Sequence, residues 1–176
     1  MHSPHPVNLR YATTSDARML SELGAKTFYD TFARDNTPEN MAAYLKRSFS
    51  PEIQHAELSA PENIFLIAEV ENEPIGFAQL ILDSKEDLLR GSQCLEVRRI
   101  YASQEYIGKG VGKLLMQASI KEARQRGCDS LWLGVWEKNP KAIAFYKKWG
   151  FNEVGTHTFH VGDDPQRDFI MELMLT

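Results

Sequence analysis

Residues Tyr106–Met116 read YIGKGVGKLLM, with glycines at 108, 110 and 112, lysines at 109 and 113, and an apolar helical stripe following directly. Glycine inside a helix costs about 1 kcal/mol relative to alanine, so three of them at a helix start ask for a reason. A strand–glycine loop–helix unit supplies one. The first amides of a helix have no intrahelical partner, and the positive end of the helix dipole lies beside them, which makes an anion site. Glycine lets the backbone turn tightly and meet an anion with no Cβ in the way. Lys109 and Lys113 add positive charge, and phosphate becomes the natural ligand class.

Spacing narrows the kind of phosphate loop. A dinucleotide fingerprint GxGxxG starting at Gly108 needs glycine where Lys113 stands. A P-loop ending in Gly112-Lys113 needs glycine at 107 and Ser or Thr at 114, where the chain has Ile107 and Leu114. Both nucleotide readings fall away. A turn without a ligand would need only one glycine.

Outward from this loop, periodicity sets the elements. Upstream lies CLEVRRIYA from Cys94, a strand, and before it IFLIAEV and IGFAQLIL, a hairpin joined at Glu71–Pro74. Asp83–Ser92 is polar and reads as a loop. Further back, VNLRYAT from Val7 alternates as a strand. Helix starts follow at Thr13/Asp16, Thr37-Pro38 and Ser50-Pro51. Downstream, Val111, Leu114, Leu115, Ala118 and Glu122 share a helical face that ends at Gly127. SLWLGVW is a strand, Asn139-Pro140 opens a short helix, and EVGTHTFHV and DFIMELML close the chain around a Gly162–Pro165 turn. The order is β, α, α, three strands, α, β, α, β, β. This predicts one mixed α/β domain over residues 7–176 behind a disordered tail, residues 1–6.

Bulk properties bound the partners. The chain has 176 residues, 43% of them hydrophobic and 25% charged, enough for one well-buried domain and short for two. A net charge of -4 argues against nucleic acid or an acidic membrane as partner. The longest apolar run, Ile64–Ala68, is too short to span a bilayer. Cys94 and Cys128 form no CxxC pair, and MHSPHP lacks the features of a signal peptide, so a reduced cytoplasmic setting is expected. The histidines offer no metal set: His157 and His160 fall on opposite strand faces, and His2 and His5 lie in the tail. No metal is expected.

The chain resembles the GCN5-related N-acetyltransferase superfamily in two motifs. Its Q/R-x-x-G-x-G/A pyrophosphate loop matches Ile107–Gly112, with Ile107 departing from Gln or Arg. Its N-x-x-A-x-x-F-Y-x-x-x-G-F signature matches Asn139–Phe151, NPKAIAFYKKWGF. LGVWEKNPKAIAFYKKWGF and VGDDPQRDFIM further resemble bacterial polyamine acetyltransferases of the PaiA type. The resemblance implies a GNAT fold: a central mixed, mostly antiparallel twisted sheet of six to seven strands with helices on both faces. It implies acetyl-CoA as co-substrate and direct acetyl transfer to a small-molecule amine, first a polyamine, by a monomer or homodimer. A peptide or protein acceptor and a non-catalytic acyl-CoA-binding module are the alternatives.

Sites follow from the same resemblance. Acetyl-CoA is expected on Gly108, Lys109, Gly110, Val111, Gly112 and Lys113. Ile100, Tyr101 and Ala102 of the preceding strand, Asn139, Tyr146 and Lys148 complete that set. Tyr146 is the candidate acid for the leaving thiolate. Glu96 falls where some family members carry a general base, though a strand glutamate also pairs readily with Arg98 on its own face. Phe28, Tyr29, Asp30, Trp136 and Asp164 are the candidate acceptor contacts.

Overall fold

Cap chemistry sets the helix starts. Thr37 Oγ1 accepts from the Asn40 N–H at 3.2 Å, Ser50 Oγ from Ile53 at 3.3 Å and Asn139 Oδ1 from Ala142 at 3.2 Å, each with proline at the first helical position. The computed structural model describes residues 6–175, so the predicted tail lies outside the described residues except for Pro6. The elements are β1 (Asn8–Tyr11), α1 (Ala17–Phe32), α2 (Pro38–Phe49), α3 (Pro51–Ser59), β2 (Asn63–Val70), β3 (Glu73–Leu82) and β4 (Cys94–Ala102). They continue as α4 (Val111–Gln125), β5 (Ser130–Trp136), α5 (Pro140–Lys148), β6 (Asn152–Val161) and β7 (Asp164–Met174). The predicted order holds, and the short helix at Ser50-Pro51 takes its place as α3.

Seven strands form one sheet in the order β1-β2-β3-β4-β5-β7-β6. Among them β4 and β5 pair parallel and the other neighbours antiparallel. The β2–β3 turn has Glu71 and Asn72 at φ +52 and +68, the primed geometry whose twist suits a two-residue hairpin. Strand alternation divides the core in two. Leu66, Ala78, Leu95, Leu131 and Met171 pack under α4 and α5 with Val111, Leu115 and Met116. On the other face Phe65, Ile67 and Phe77 meet Leu20, Phe28, Tyr44 and Phe49 of α1 and α2. The buried stripe of α4 is rotated from the predicted one, with Met116 and Ala123 buried and Leu114 only half-buried. Glu122 is nevertheless 5% exposed, because Tyr11 Oη donates to it at 2.6 Å and Arg126 Nε at 2.7 Å.

The polar segment 83–92 is a strap laid on the sheet. Trp132 Nε1 donates to the Ser84 carbonyl at 3.0 Å, and the N–H groups of Arg90 and Gly91 donate to the buried Glu172 carboxylate at 3.0 and 2.9 Å. Those two charge-assisted bonds pin the strap. Glu172→Gln leaves one amide N–H facing an NH2 group, so it costs about 1–3 kcal/mol of stability. A denaturant midpoint equal to wild type would disprove that role.

Candidate active site

The site begins where a sheet ladder stops. β4 and β5 pair only over Cys94–Glu96 against Ser130–Trp132, although the strands run on to Ala102 and Trp136. A bulge in β4 sits at the divergence. Gln79 and Leu80 of β3 face Arg99 and Val97, leaving Arg98 as the extra residue, and such an insertion bends and twists its strand. Side-chain phase slips there as well. Leu95 and Val97, then Ile100 and Ala102, pack towards α4, whereas Arg99 and Tyr101 turn to α2, α3 and the α1 side. The parted strand edges leave backbone N–H and C=O groups without a ladder partner, aimed into the gap. A cavity of about 1000 Å3 opens through it, lined by Ile100, Tyr101 and Ala102 on one side and Gly134, Val135 and Trp136 on the other.

The glycine loop forms one end of that cavity, with Gly108, Gly110, Gly112 and Lys113 in its wall. Gly108 and Gly110 take φ of +79 and +89, which L side chains rarely adopt. Gly110 is the N-cap of α4 and brings no side-chain cap bond. The first helical hydrogen bond is Leu114 N–H to the Gly110 carbonyl at 3.0 Å, so the N–H groups of Gly110, Val111, Gly112 and Lys113 are left for a ligand. Gly112 has ordinary helical geometry, and a Cβ there would only touch Phe145 at 3.6 Å. The protein's own packing therefore does not require glycine at 112, whereas a pyrophosphate approaching the amides does. Lys109 and Val111 do not line the cavity: the Lys109 ammonium sits 5.3 Å from the Tyr106 ring centre and the Val111 side chain is core. Ile107, out of the family pattern, is 62% exposed on the rim. Such a loop fits a diphosphate held through backbone amides.

Across the gap, α5 presents Asn139, Lys141 and Tyr146. Lys148, predicted to reach the phosphates, stands exposed in the last turn away from the cavity; Lys141, in the first turn, lines it instead. Helix geometry decides this, because seven residues of α-helix carry a side chain about 10 Å along the axis. The Tyr146 ring packs edge-on against Phe145 and Phe151 at 5.4 and 5.9 Å, and its hydroxyl has no hydrogen-bond partner among the described residues. Burial pushes the phenol far above its usual value, so it stays protonated.

At the other end the cavity is aromatic. Phe28 and Phe32 of α1, Tyr44 of α2, Trp136 of β5 and Phe159 of β6 line it; Phe28 stacks on Tyr44 at 4.3 Å and Phe32 meets Trp136 at 6.1 Å. Three predicted acceptor contacts lie elsewhere. Tyr29 is 53% exposed, Asp30 pairs with Lys26 at 2.6 Å, and Asp164 bonds Gln166 from an exposed position. Phe28 and Phe32, one turn apart, share the inward face; Tyr29 and Asp30 are rotated off it by about 100° and 200°.

Glu96 is also set apart. Its carboxylate is 7% exposed, and Arg98 grips it through Nε at 2.6 Å and Nη2 at 2.9 Å while Ser84 Oγ donates at 2.5 Å. It does not line the cavity. The pairing with Arg98, left open as the alternative in the sequence, is the arrangement formed. A carboxylate with its lone pairs so engaged is poorly placed to take a proton from a substrate.

The carboxylate that does line the cavity is Asp168 of β7, 7% exposed. The sequence carries no signal for it, because Asp168 and Glu172 fall on the same alternating face of DFIMELML, opposite Phe169, Met171 and Leu173, as solvent-facing acids would. The strap and the α1–α2 side cover that face. His157, its partner in the β6–β7 register, places Nε2 3.8 Å from Asp168 Oδ2 and is raised above the ordinary imidazole value chiefly by Asp168. Both thiols, Cys94 and Cys128, are raised by burial and stand outside the cavity, unlike an activated nucleophile.

Comparison with known proteins agrees with this architecture. Residues 25–151 match the model of the Acetyltransferase (GNAT) family. An uncharacterized N-acetyltransferase from Lactobacillus delbrueckii subsp. lactis is 33% identical over 96% of this chain and 98% of its own. Spermidine N(1)-acetyltransferase of Thermoplasma acidophilum is 27% identical over 94% and 96%. In fold the chain is similar to the PaiA N-acetyltransferase of that organism, solved with coenzyme A, at a TM-score of 0.78 and 24% identity over 97% and 99% of the two chains. With its parted strands, amide-rich glycine loop and matching motif span, this chain belongs to the GNAT family and is an acetyl-CoA-dependent N-acetyltransferase.

Proposed function

We propose that the acceptor is a primary amine of a small molecule, a polyamine before others. One observation carries this reading. A single cavity joins the glycine loop, the free Tyr146 hydroxyl and an aromatic chamber that holds the buried Asp168 carboxylate. Aromatic faces attract ammonium groups and pack the methylenes between them, and the Asp168 carboxylate gives one ammonium a defined seat. The spermidine acetyltransferase relative supports the same class.

Acetyl-CoA supplies the activated acetyl thioester; the chain's residues do the rest. Gly110–Lys113 amides and Lys113 and Lys141 hold its phosphates. A free backbone N–H on the β4 edge near Ile100 or Tyr101 stabilises the developing oxyanion. Tyr146 Oη donates its proton to the departing sulfur. Thiol release from acetyl-CoA across polyamines, amino acids, aminoglycosides and peptides tests the reading. Spermidine or a close analogue is expected to give the highest kcat/KM. Turnover on peptides alone would transfer the proposal to a protein acceptor, and acetyl-CoA binding with no turnover on any amine would make the chain a sensor.

A further inference from the structure

We propose that Asp168 takes the proton from the acceptor ammonium and that His157, backed by Glu86, carries it out to solvent. The proposal rests on the acceptor end of the cavity being the aromatic chamber described above. Four features of the fold meet in it. Asp168 is the carboxylate that lines the cavity, and its ion-pair partner among the described residues is His157. His157 bridges two acids, with Nε2 3.8 Å from Asp168 Oδ2 and Nδ1 3.2 Å from Glu86 Oε1. Side-chain exposure climbs along the series, from 10% at Asp168 to 29% at His157 and 32% at Glu86, so the three run from the cavity wall to the surface. Finally, Gly134 stands in the middle of β5, where glycine weakens a strand. A Cβ there would lie 2.9 Å from His157 Nε2 and 3.3 Å from Asp168 Oδ2. The glycine keeps open the space in which the two side chains meet.

The chemistry balances with one proton leaving. The ammonium gives a proton to Asp168, and the freed nitrogen lone pair attacks the thioester carbon. A C–N bond forms, and the carbonyl π pair moves to oxygen. Collapse of the tetrahedral adduct breaks the C–S bond with its electron pair going to sulfur, which takes the Tyr146 proton. Tyr146 recovers a proton from the adduct nitrogen, leaving a neutral amide and a thiol. Asp168 is left protonated. It passes that proton to His157 Nε2, which releases the one on Nδ1 to Glu86 and water. The 3.8 Å gap is an ion-pair separation; a shift of about 1 Å by the imidazole brings it to hydrogen-bond length. His157 belongs to β6, an edge strand of the sheet.

Among the described residues the titratable side chain beside Asp168 is His157 of β6. Tyr44 of α2 and Tyr101 of β4 feel its charge, burial keeps both phenols protonated, and Arg47, Arg98, Arg99 and His160 line the same cavity. The acid limb of the rate is therefore assigned to His157. A protonated His157 cannot receive the proton, so kcat/KM falls as pH drops through its pKa, which lies above the ordinary value of about 6.5.

Kinetics of the full chain with spermidine, or the fastest amine of the panel, test this beside NMR titration of the His157 imidazole. Asp168→Asn is expected to lower kcat about 100-fold with the KM for acetyl-CoA unchanged. His157→Gln lowers kcat about 10-fold and abolishes the acid limb, whereas Glu86→Gln lowers kcat about three-fold, since water still takes the Nδ1 proton, and moves that limb to lower pH. In the NMR arm, Asp168→Asn lowers the pH at which His157 titrates. An Asp168→Asn enzyme that loses only amine KM, keeping kcat and the acid limb, would reduce Asp168 to a charge anchor and overturn the relay. An unchanged imidazole titration would overturn it too, whichever amine proves to be the acceptor, whereas failure of spermidine alone, with another amine turned over, would sink only the proposed acceptor.

Discussion

Tyr146→Phe lowers kcat by about 100-fold or more and leaves the KM for acetyl-CoA within about two-fold of wild type. The substitution deletes one oxygen and keeps the ring that packs against Phe145 and Phe151. That hydroxyl has no hydrogen-bond partner among the described residues, so its removal strands no donor or acceptor there, and stability is retained. What disappears is the donor that meets the leaving sulfur. Positioned acid–base groups contribute about 10²–10⁴-fold in rate. A loss in kcat and kcat/KM together marks an interaction made only in the transition state. Burial strengthens the argument, because a phenol held protonated well above its usual range has a proton to give at every physiological pH. Steady-state kinetics with both substrates varied would read the effect. Wild-type kcat in the variant would remove Tyr146 from proton transfer.

Gly112→Asp raises the KM for acetyl-CoA by about 100-fold while the protein melts no lower than wild type. The two outcomes together are what distinguish a ligand effect from damage to the fold. Position 112 has ordinary helical φ, and a Cβ there would make one ordinary contact, with Phe145 at 3.6 Å. Aspartate in the first turn complements the helix dipole by about 0.3–1 kcal/mol, so α4 tolerates it. The same carboxylate stands before the free amides and meets an incoming diphosphate with like charge, excluding it from the cradle. Isothermal titration with CoA and a thermal melt check both halves. Retained affinity would mean that the diphosphate does not enter this loop, and a large fall in melting temperature would assign Gly112 to folding instead.

Element order and helix starts were legible in the residues because their causes are local. Thr37-Pro38, Ser50-Pro51 and Asn139-Pro140 each satisfy an amide three residues on, whatever the rest of the chain does. The glycine loop was legible for the same reason: its anion site is made by consecutive amides at one helix end. Within the site, Gly108, Gly110, Gly112, Asn139 and Tyr146 are brought to one cavity as their motifs imply, while Lys148 stands at the far end of α5, Tyr29 and Asp30 are rotated off the inward face of α1, and Asp164 is exposed at the start of β7.

Sequence alone thus determined the class of fold and the donor end of the cavity, both built from neighbours in the chain. Tertiary structure decided the acceptor end. Asp168 looks solvent-facing by alternation, yet the α1–α2 side and the strap over residues 83–92 bury its face, and strand register sets it opposite His157. At Glu96 the sequence offered both a base and a partner for Arg98, and the folded chain forms the ion pair. The cavity exists because the β4–β5 ladder ends after Glu96 and Trp132. Strand pairing across tens of residues carries no local signature, so the burial of one strand face and the parting of β4 from β5 emerge only when the sheet is assembled.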